Sequence, residues 1–353
     1  MNQRARFFGI IAYILLFIGL TAATLWFSVT QLSQLSSAAA DMEEPASITA
    51  IGINAQMSNT GVGGRFIRLD ERAPLPTIPP WPTMQNTPTI SPAPLPALEK
   101  PAHTPINGIP WEAFIVLPPE VISHARQIFA LGQSMGRNPA AYSKVGDSTT
   151  ENPHFMARFD EGTYNLGAFA YLEPAVAQFR GSHNRDSVAV QIGLHSWSAN
   201  DPMWADPALC LPNETPVQCE LRIHNPSILL IRLGTNDVGV AESFEGNISQ
   251  IVDTALAAGV IPVIGTKGDR HEGDNTNNEI LRRIAADYRI PLWDYDRIAD
   301  TLPARGLDVD GAHMMTYYAH DYRDPTAFTR GHAMHNLTAL MMLDALWREV
   351  SGQ

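Results

Sequence analysis

Hydrophobic and polar positions divide the chain into three unlike stretches. Arg4 and Arg6 precede an apolar run from Phe7 to Leu20 that continues, with Thr21, Thr24 and Ser28 as its main polar residues, to Val29. At about 23 residues it is long enough to cross a bilayer, and longer than the usual core of a signal peptide. Residues 1–40 are therefore expected to be a retained membrane anchor, or a signal segment cleaved at the Ala38-Ala39-Ala40 site. Arginines before the span and Asp41, Glu43 and Glu44 after it place the remainder outside the cytoplasm. Residues 41–110 show no period, and twelve of the 27 prolines fall between Glu71 and Pro110. Lacking amide donors, such a stretch favours extended conformations and reads as a semi-rigid linker. From Trp111 the pattern becomes globular. Pro119–Leu131 predicts a helix with a stripe at Val121, Ile122, Ile128 and Leu131. Apolar runs at Ser143–Val145, Val188–Ile192, Ile228–Leu233, Ile261–Ile264 and Ile290–Trp293 predict strands. Helical patterns follow at Ile248–Ala258, Glu279–Tyr288 and Asn336–Val350. Strand–helix alternation of this kind implies one α/β domain over 111–353, with a parallel sheet covered on both faces.

Composition narrows the function. The 353 residues carry 24 Lys+Arg against 36 Asp+Glu, a net charge of −12, which argues against a nucleic-acid partner. With 45% hydrophobic residues a sizeable core is available. The two cysteines, Cys210 and Cys219, bracket a short loop with two prolines, and outside the cytoplasm they are expected to form a disulfide; two free thiols are the alternative.

Three short signals carry chemistry. Gly146-Asp147-Ser148 follows the strand ending at Val145, Gly234-Thr235-Asn236-Asp237 follows Ile228–Leu233, and Asp310-Gly311-Ala312-His313 precedes the last helix. Singly the first and third are weak, since turns favour the same residues. Their placement gives them weight: the first two lie at the C-terminal ends of strands, where open parallel sheets build sites. A serine hydroxyl becomes a nucleophile when a base removes its proton, and His313 can do so while Asp310 holds its other nitrogen. Asp308 is an alternative acid. The Ser148 amide and the Asn236 side chain are candidate oxyanion donors.

In this order the three motifs resemble the SGNH hydrolases, the GDSL-type lipases and esterases, over roughly Ala141–Leu346. The resemblance implies a three-layer α/β/α sandwich with a flavodoxin-like parallel sheet of about five strands. It implies a serine esterase with Ser148 as nucleophile, His313 as base and Asp310 as its orienting acid, needing no metal or organic cofactor. Ser148 and Asn236 become oxyanion donors. The family's further donor is a glycine after the second strand, in a pattern like Asn-x-Gly-x-x-Gly. Here Gln191-Ile192-Gly193-Leu194-His195-Ser196 keeps the first glycine as Gly193 and replaces the second with Ser196, so either amide can complete the hole. A second departure is the segment Met314–Gly331, with Tyr317, Tyr318, Tyr322 and Phe328, between the base and the last helix. It is expected to form a wall or lid at the site, or surface decoration.

Other residues are weighed against plainer roles. His332 and His335 have a helical spacing that could bind metal, but capping or core roles fit better. His271 and Glu272 lie in a loop, Lys267–Asn275, at the same sheet edge as Ser148. Trp197 and Trp204 could stack on a sugar, line an acyl pocket or be buried. The expected function is an extracytoplasmic, membrane-tethered or secreted ester hydrolase acting through an acyl-serine. A glycan O-acetyl group is the first candidate substrate and a lipid or lysophospholipid ester the second. The rival is a non-catalytic glycan-binding surface protein on the same fold.

Overall fold

The computed structural model describes residues 104–151 and 153–352. The expectations for residues 1–40, and for the linker up to residue 103, lie outside the described residues. Among the described residues no helix is long and apolar enough to cross a membrane.

A five-stranded sheet organises the domain. Its strands are β1 (Ile115–Val116), β2 (Asn138–Gly146), β3 (Pro226–Arg232), β4 (Ile261–Gly265) and β5 (Leu292–Trp293). Their spatial order is β1-β5-β4-β3-β2. β2, β3, β4 and β5 run parallel, and β1 closes the edge antiparallel to β5. Every residue of β3 and of β4 is buried, as continuous apolar runs in a doubly covered sheet require.

Helices cover both faces. α1 (Pro119–Ser134) starts with proline at its first position, where a missing amide costs nothing. α2 (Ala157–Glu161), α3 (Glu173–Gln178), α4 (Pro216–Ile223), α5 (Ala241–Ala257), α6 (Thr276–Tyr288), α7 (Tyr295–Ala299) and α8 (Gly331–Ser351) complete the set. α4 begins with a reciprocal cap: Gln218 N–H donates to Thr215 Oγ1 at 3.2 Å and Thr215 N–H to Gln218 Oε1 at 3.0 Å. Alternation along β3 sends Ile228 and Leu230 into a core with α1 and α8, and Leu229 and Ile231 into a second core with α4, α5 and α6. These are the three layers expected. α8 is buried on nearly all sides, because the sheet lies beneath it and the segments 153–180 and 314–330 cover it.

Three expectations need correction. The sheet is not wholly parallel, since β1 was not foreseen and enters antiparallel. Val188–Ile192 is not a strand: it makes one parallel bridge, Val190 to Gly146, and then turns, with Leu194 N–H donating to Gln191 O at 3.1 Å and Gly193 at φ +73°. The packed domain also begins ahead of Trp111. Ile106 is fully buried in the first core, and Asn107 Nδ2 donates to Thr301 Oγ1 and Phe328 O, each at 3.0 Å.

Candidate active site

The end of β2 turns sharply to present Ser148. Thr149 donates both its amide (2.9 Å) and its hydroxyl (2.7 Å) to Asp147 Oδ1, and Thr150 N–H donates to Asp147 O at 3.0 Å. The turn requires Gly146, because a Cβ there would lie 2.0 Å from Thr150 Oγ1 and 2.8 Å from Arg232 O. Asp147 is buried and Ser148 half-buried.

His313 arrives on a second tight turn. Asp308 N–H donates to His313 O at 2.8 Å, Gly311 N–H donates to Asp308 O at 2.9 Å, and Gly311 takes φ +69°. Asp310 Oδ1 accepts the amides of Ala312 and His313, each at 3.0 Å. Its Oδ2 lies 2.6 Å from His313 Nδ1, and His313 Nε2 lies 2.9 Å from Ser148 Oγ. An ionised Asp310 makes Nδ1 the donor, which leaves Nε2 to accept from the serine hydroxyl. The Ala312 amide, the His313 imidazole and the His313 amide hold the Asp310 carboxyl down at about 2. The Asp308 carboxylate instead accepts the Val309 amide at 2.7 Å and does not hold the imidazole. His313 and Asp310 are open to solvent, with side chains 54% and 49% exposed.

The candidate oxyanion donors sit on the turns after β2 and β3 and on the Gly193 turn. Among the described residues the amides of Ser148 and Gly193 donate to no protein acceptor. Asn236 Nδ2 donates one hydrogen to Leu194 O at 3.2 Å, which fixes the amide against the Gly193 turn and leaves its second hydrogen to donate elsewhere. Ser196 is a correction. Its amide donates to both Asp237 oxygens, at 3.1 and 3.2 Å, its hydroxyl donates to Asp237 Oδ1 at 2.7 Å, and it is fully buried. An amide spent on a buried carboxylate has nothing left for substrate, so of the two candidate amides Gly193 is the one left able to donate. Asn236→Ala will therefore lower kcat by roughly 10²–10³-fold. Ser196→Ala will leave kcat within about threefold but cost about 1–3 kcal/mol in denaturant unfolding, because Asp237 loses a buried donor.

The segment Met314–Gly331 is anchored to the domain: Tyr322 and Ala327 are buried, Tyr322 Oη donates to Ala333 O at 2.9 Å, and the segment bonds Asn165 on both sides. Asn336 on α8 ties this segment to the chain that follows Ser148. It donates to His154 O at 3.0 Å, accepts the Met156 amide at 3.0 Å, and meets His320 Nε2 at 2.6 Å. Trp197 and Trp204 pack edge to face, 5.6 Å apart, on the chain that follows Gly193, and remain 45% and 43% exposed. The loop after β4 proves to be a brace. Glu272 and Asp269 pair with the buried Lys267, Asp269 Oδ2 accepts from Thr235 Oγ1 at 2.9 Å, and Asn277 Nδ2 donates to the carbonyls of Gly234 and Asp237. It holds the turn that carries Asn236, while His271 points outward. Sequence reasoning missed Lys267, Asp269 and Asn277 in this role, since no local pattern marks them.

Neither histidine of α8 is placed as half of a metal pair. His335 Nε2 accepts from Arg232 Nε at 3.2 Å inside a cage of Phe155, Trp293 and Tyr295, and His332 is buried against His154. Among the described residues the one cluster with metal-ligand proximity is Cys210, Glu214 and Cys219, whose two sulfurs are bonded to each other as a disulfide with Cα atoms 5.2 Å apart. This bridge staples the chain after Trp204 to α4. Reducing it will lower stability by roughly 2–3 kcal/mol, and mass spectrometry without reductant will show Cys210 joined to Cys219.

No protein-family model and no curated protein matches the chain. Solved structures similar to it include an acetylxylan esterase from Geobacillus stearothermophilus, with 14% identity, 57% of this chain and 93% of that chain covered, and a TM-score of 0.38. Another is a carbohydrate esterase family 3 protein from Talaromyces cellulolyticus, with 14% identity, 58% and 98% covered, and a TM-score of 0.38. A third is a GDSL-like lipase from Bacteroides thetaiotaomicron, with 14% identity, 64% and 98% covered, and a TM-score of 0.34. At these identities and scores no function follows from the likeness, and the functional reading rests on the site.

Proposed function

We propose that the chain is a serine ester hydrolase that works through an acyl-serine intermediate. The observation that carries this reading is the unbroken relay from Ser148 Oγ to His313 Nε2 at 2.9 Å and from His313 Nδ1 to Asp310 Oδ2 at 2.6 Å. Ser148 Oγ attacks the ester carbonyl while His313 Nε2 takes its proton. Negative charge that develops on the carbonyl oxygen is met by the amides of Ser148 and Gly193 and by the Asn236 side chain. Asp310 stabilises the imidazolium without taking its proton. The imidazolium returns the proton to the leaving alcohol, which departs and leaves an ester on Ser148. Water then repeats the attack with His313 as base, releasing the acid and restoring the serine.

The substrate proposed is an O-acetyl group on a glycan, met outside the cytoplasm by a tethered or secreted enzyme. Support comes from the open site, the half-exposed Trp197–Trp204 pair, which offers faces for sugar rings, and the disulfide, which suits an oxidising compartment. One observation favours the lipid-ester reading: Ile192, Val238 and Val309 are exposed beside the donor Gly193, the donor Asn236 and the acid Asp310. Acetate release from acetylated xylan, set against hydrolysis of long-chain lipid esters by the same preparation, separates the two. Faster deacetylation supports the glycan reading, preference for long acyl chains replaces it with the lipid one, and turnover of neither sinks the esterase assignment.

A further inference from the structure

Buried polar atoms in folded proteins are nearly all paired, so the exceptions carry information. Among the described residues six buried side-chain atoms lack a hydrogen-bond partner, and four belong to one group: Asp147 Oδ2, both terminal nitrogens of Arg232, and Nδ1 of His335. Arg232 and His335 touch directly, and Asp147 and Arg232 attract one another. The group lies under the nucleophile: Arg232 is the register partner of Gly146, and Asp147 immediately precedes Ser148.

Arg232 is almost wholly buried. Its Nε donates to His335 Nε2 at 3.2 Å and its guanidinium lies 5.8 Å from the centre of the Tyr295 ring, which leaves four N–H groups on the terminal nitrogens without an acceptor. Asp147 is fully buried, with Oδ1 committed to Thr149 and Oδ2 to nothing. The other charges around the guanidinium are already engaged. Asp269 is held by Lys267 and Thr235, and Asp296 by Arg270, Arg282 and Arg305. Burial keeps His335 neutral. Asp147 is thus the carboxylate left to balance Arg232, yet the two form no direct ion pair. Each is pinned. Asp147 would lose its Thr149 bonds by turning, and the Arg232 stem threads past Gly265, where a Cβ would sit 3.2 Å from its Cδ. Burial raises the Asp147 carboxyl above its usual value, and the Thr149 bonds and the Arg232 charge oppose that rise. Two such buried groups, each with unused hydrogen-bonding capacity and no direct bond, can be satisfied by ordered water between them.

We propose that buried water bridges the terminal nitrogens of Arg232 to Asp147 Oδ2, and that through this bridge Arg232 is a positioning residue for the Ser148 turn. The water site stands on geometry alone, whereas the positioning role rests on the reading of Ser148 as the nucleophile. Arg232 anchors the bridge in β3, the water carries the constraint to Asp147, and Asp147 passes it to the turn through Thr149.

Two measurements on the full chain test the two parts separately. A crystal structure resolving ordered solvent is expected to show water within hydrogen-bond distance, about 3.2 Å, of both an Arg232 terminal nitrogen and Asp147 Oδ2. A direct Arg232–Asp147 ion pair, or a bound halide revealed by bromide soaking, overturns the water site. In kinetics on a chromogenic acetyl ester, Arg232→Met is expected to lower kcat roughly 10–100-fold with KM within twofold, as a slightly misplaced nucleophile does. Arg232→Lys is expected to recover at least about threefold of that loss, since an ammonium can hold the same water. Unchanged kcat in folded Arg232→Met, or no recovery with lysine, overturns the positioning role. Should Arg232→Met fail to fold, Asp147→Asn, which keeps an acceptor for Thr149, is expected to give the same kcat loss, and normal kcat there overturns the role equally. If the parent protein hydrolyses no ester, the proposed function has failed, and the solvent structure still decides the water site.

Discussion

Ser148→Ala will lower kcat for ester hydrolysis by at least about 10⁴-fold and leave the protein folded. The hydroxyl makes one hydrogen bond, to His313 on a solvent-open turn, and the turn itself is held by Asp147, Thr149 and Thr150. Its removal creates no buried cavity and orphans no buried group, so unfolding free energy will stay within about 0.5 kcal/mol. The amides of Ser148 and Gly193 and the Asn236 side chain survive the substitution, so weak turnover above the uncatalysed rate will remain. Steady-state kinetics and denaturant unfolding on one preparation separate lost chemistry from lost structure. Normal hydrolysis by the folded variant would remove Ser148 from the mechanism.

The second large effect belongs to Asp310. Asp310→Asn keeps the shape of the turn but replaces the carboxylate that fixes His313 Nδ1 as donor. An amide can present its own N–H to that nitrogen and favour the wrong tautomer, in which Nε2 carries the proton and cannot accept from Ser148. A fall of roughly 10⁴ in kcat is expected. Asp308→Asn will change kcat less than about threefold, since its carboxylate bonds only the Val309 amide. The sign of the pH dependence follows from the same contacts. The Asp310 carboxyl is held at about 2, below its usual value, so the ion is present above that pH and is lost only as pH falls through it. Any acid limb of kcat/KM above pH 4 therefore reports a group other than Asp310, and Asp310→Asn will lower the plateau without being mimicked by mild acid.

The turns at Ser148 and His313 were legible because they are local. Gly146-Asp147-Ser148 and Asp310-Gly311-Ala312-His313 encode their geometry in residues that bond to one another within three positions, the first at the end of a strand whose apolar run announces it. β3 and β4 were readable for the same reason, each built around an apolar run buried on both faces. What stayed hidden depends on partners distant in the chain. Whether Ser196 can donate to substrate is decided by Asp237, forty-one positions away. Val188–Ile192 has the composition of a strand, but the Gln191–Leu194 turn stops its pairing after one bridge. β1 has two residues and so no period to detect. Arg232 lies inside the run Ile228–Leu233, and nothing local marks it as buried. It is buried because α8 lies across that end of the sheet and supplies His335 to meet it.

The segment Met314–Gly331 and the brace at Lys267–Asn277 act differently. The brace fixes the turn under Asn236 through buried side chains from a distant segment, whereas the turn that carries His313 is held by its own residues and the segment after it is tied to α8.

The most direct test of an activated serine is covalent labelling with a fluorophosphonate. The full chain, Ser148→Ala and His313→Ala are treated side by side, and the adduct is mapped by peptide mass spectrometry. Stoichiometric phosphonylation of Ser148 in the parent, absent in Ser148→Ala and slowed severely in His313→Ala, is the result predicted here. No adduct on Ser148 in demonstrably folded parent protein would contradict the account, and would point instead to a surface protein that binds glycans on this fold without hydrolysing them.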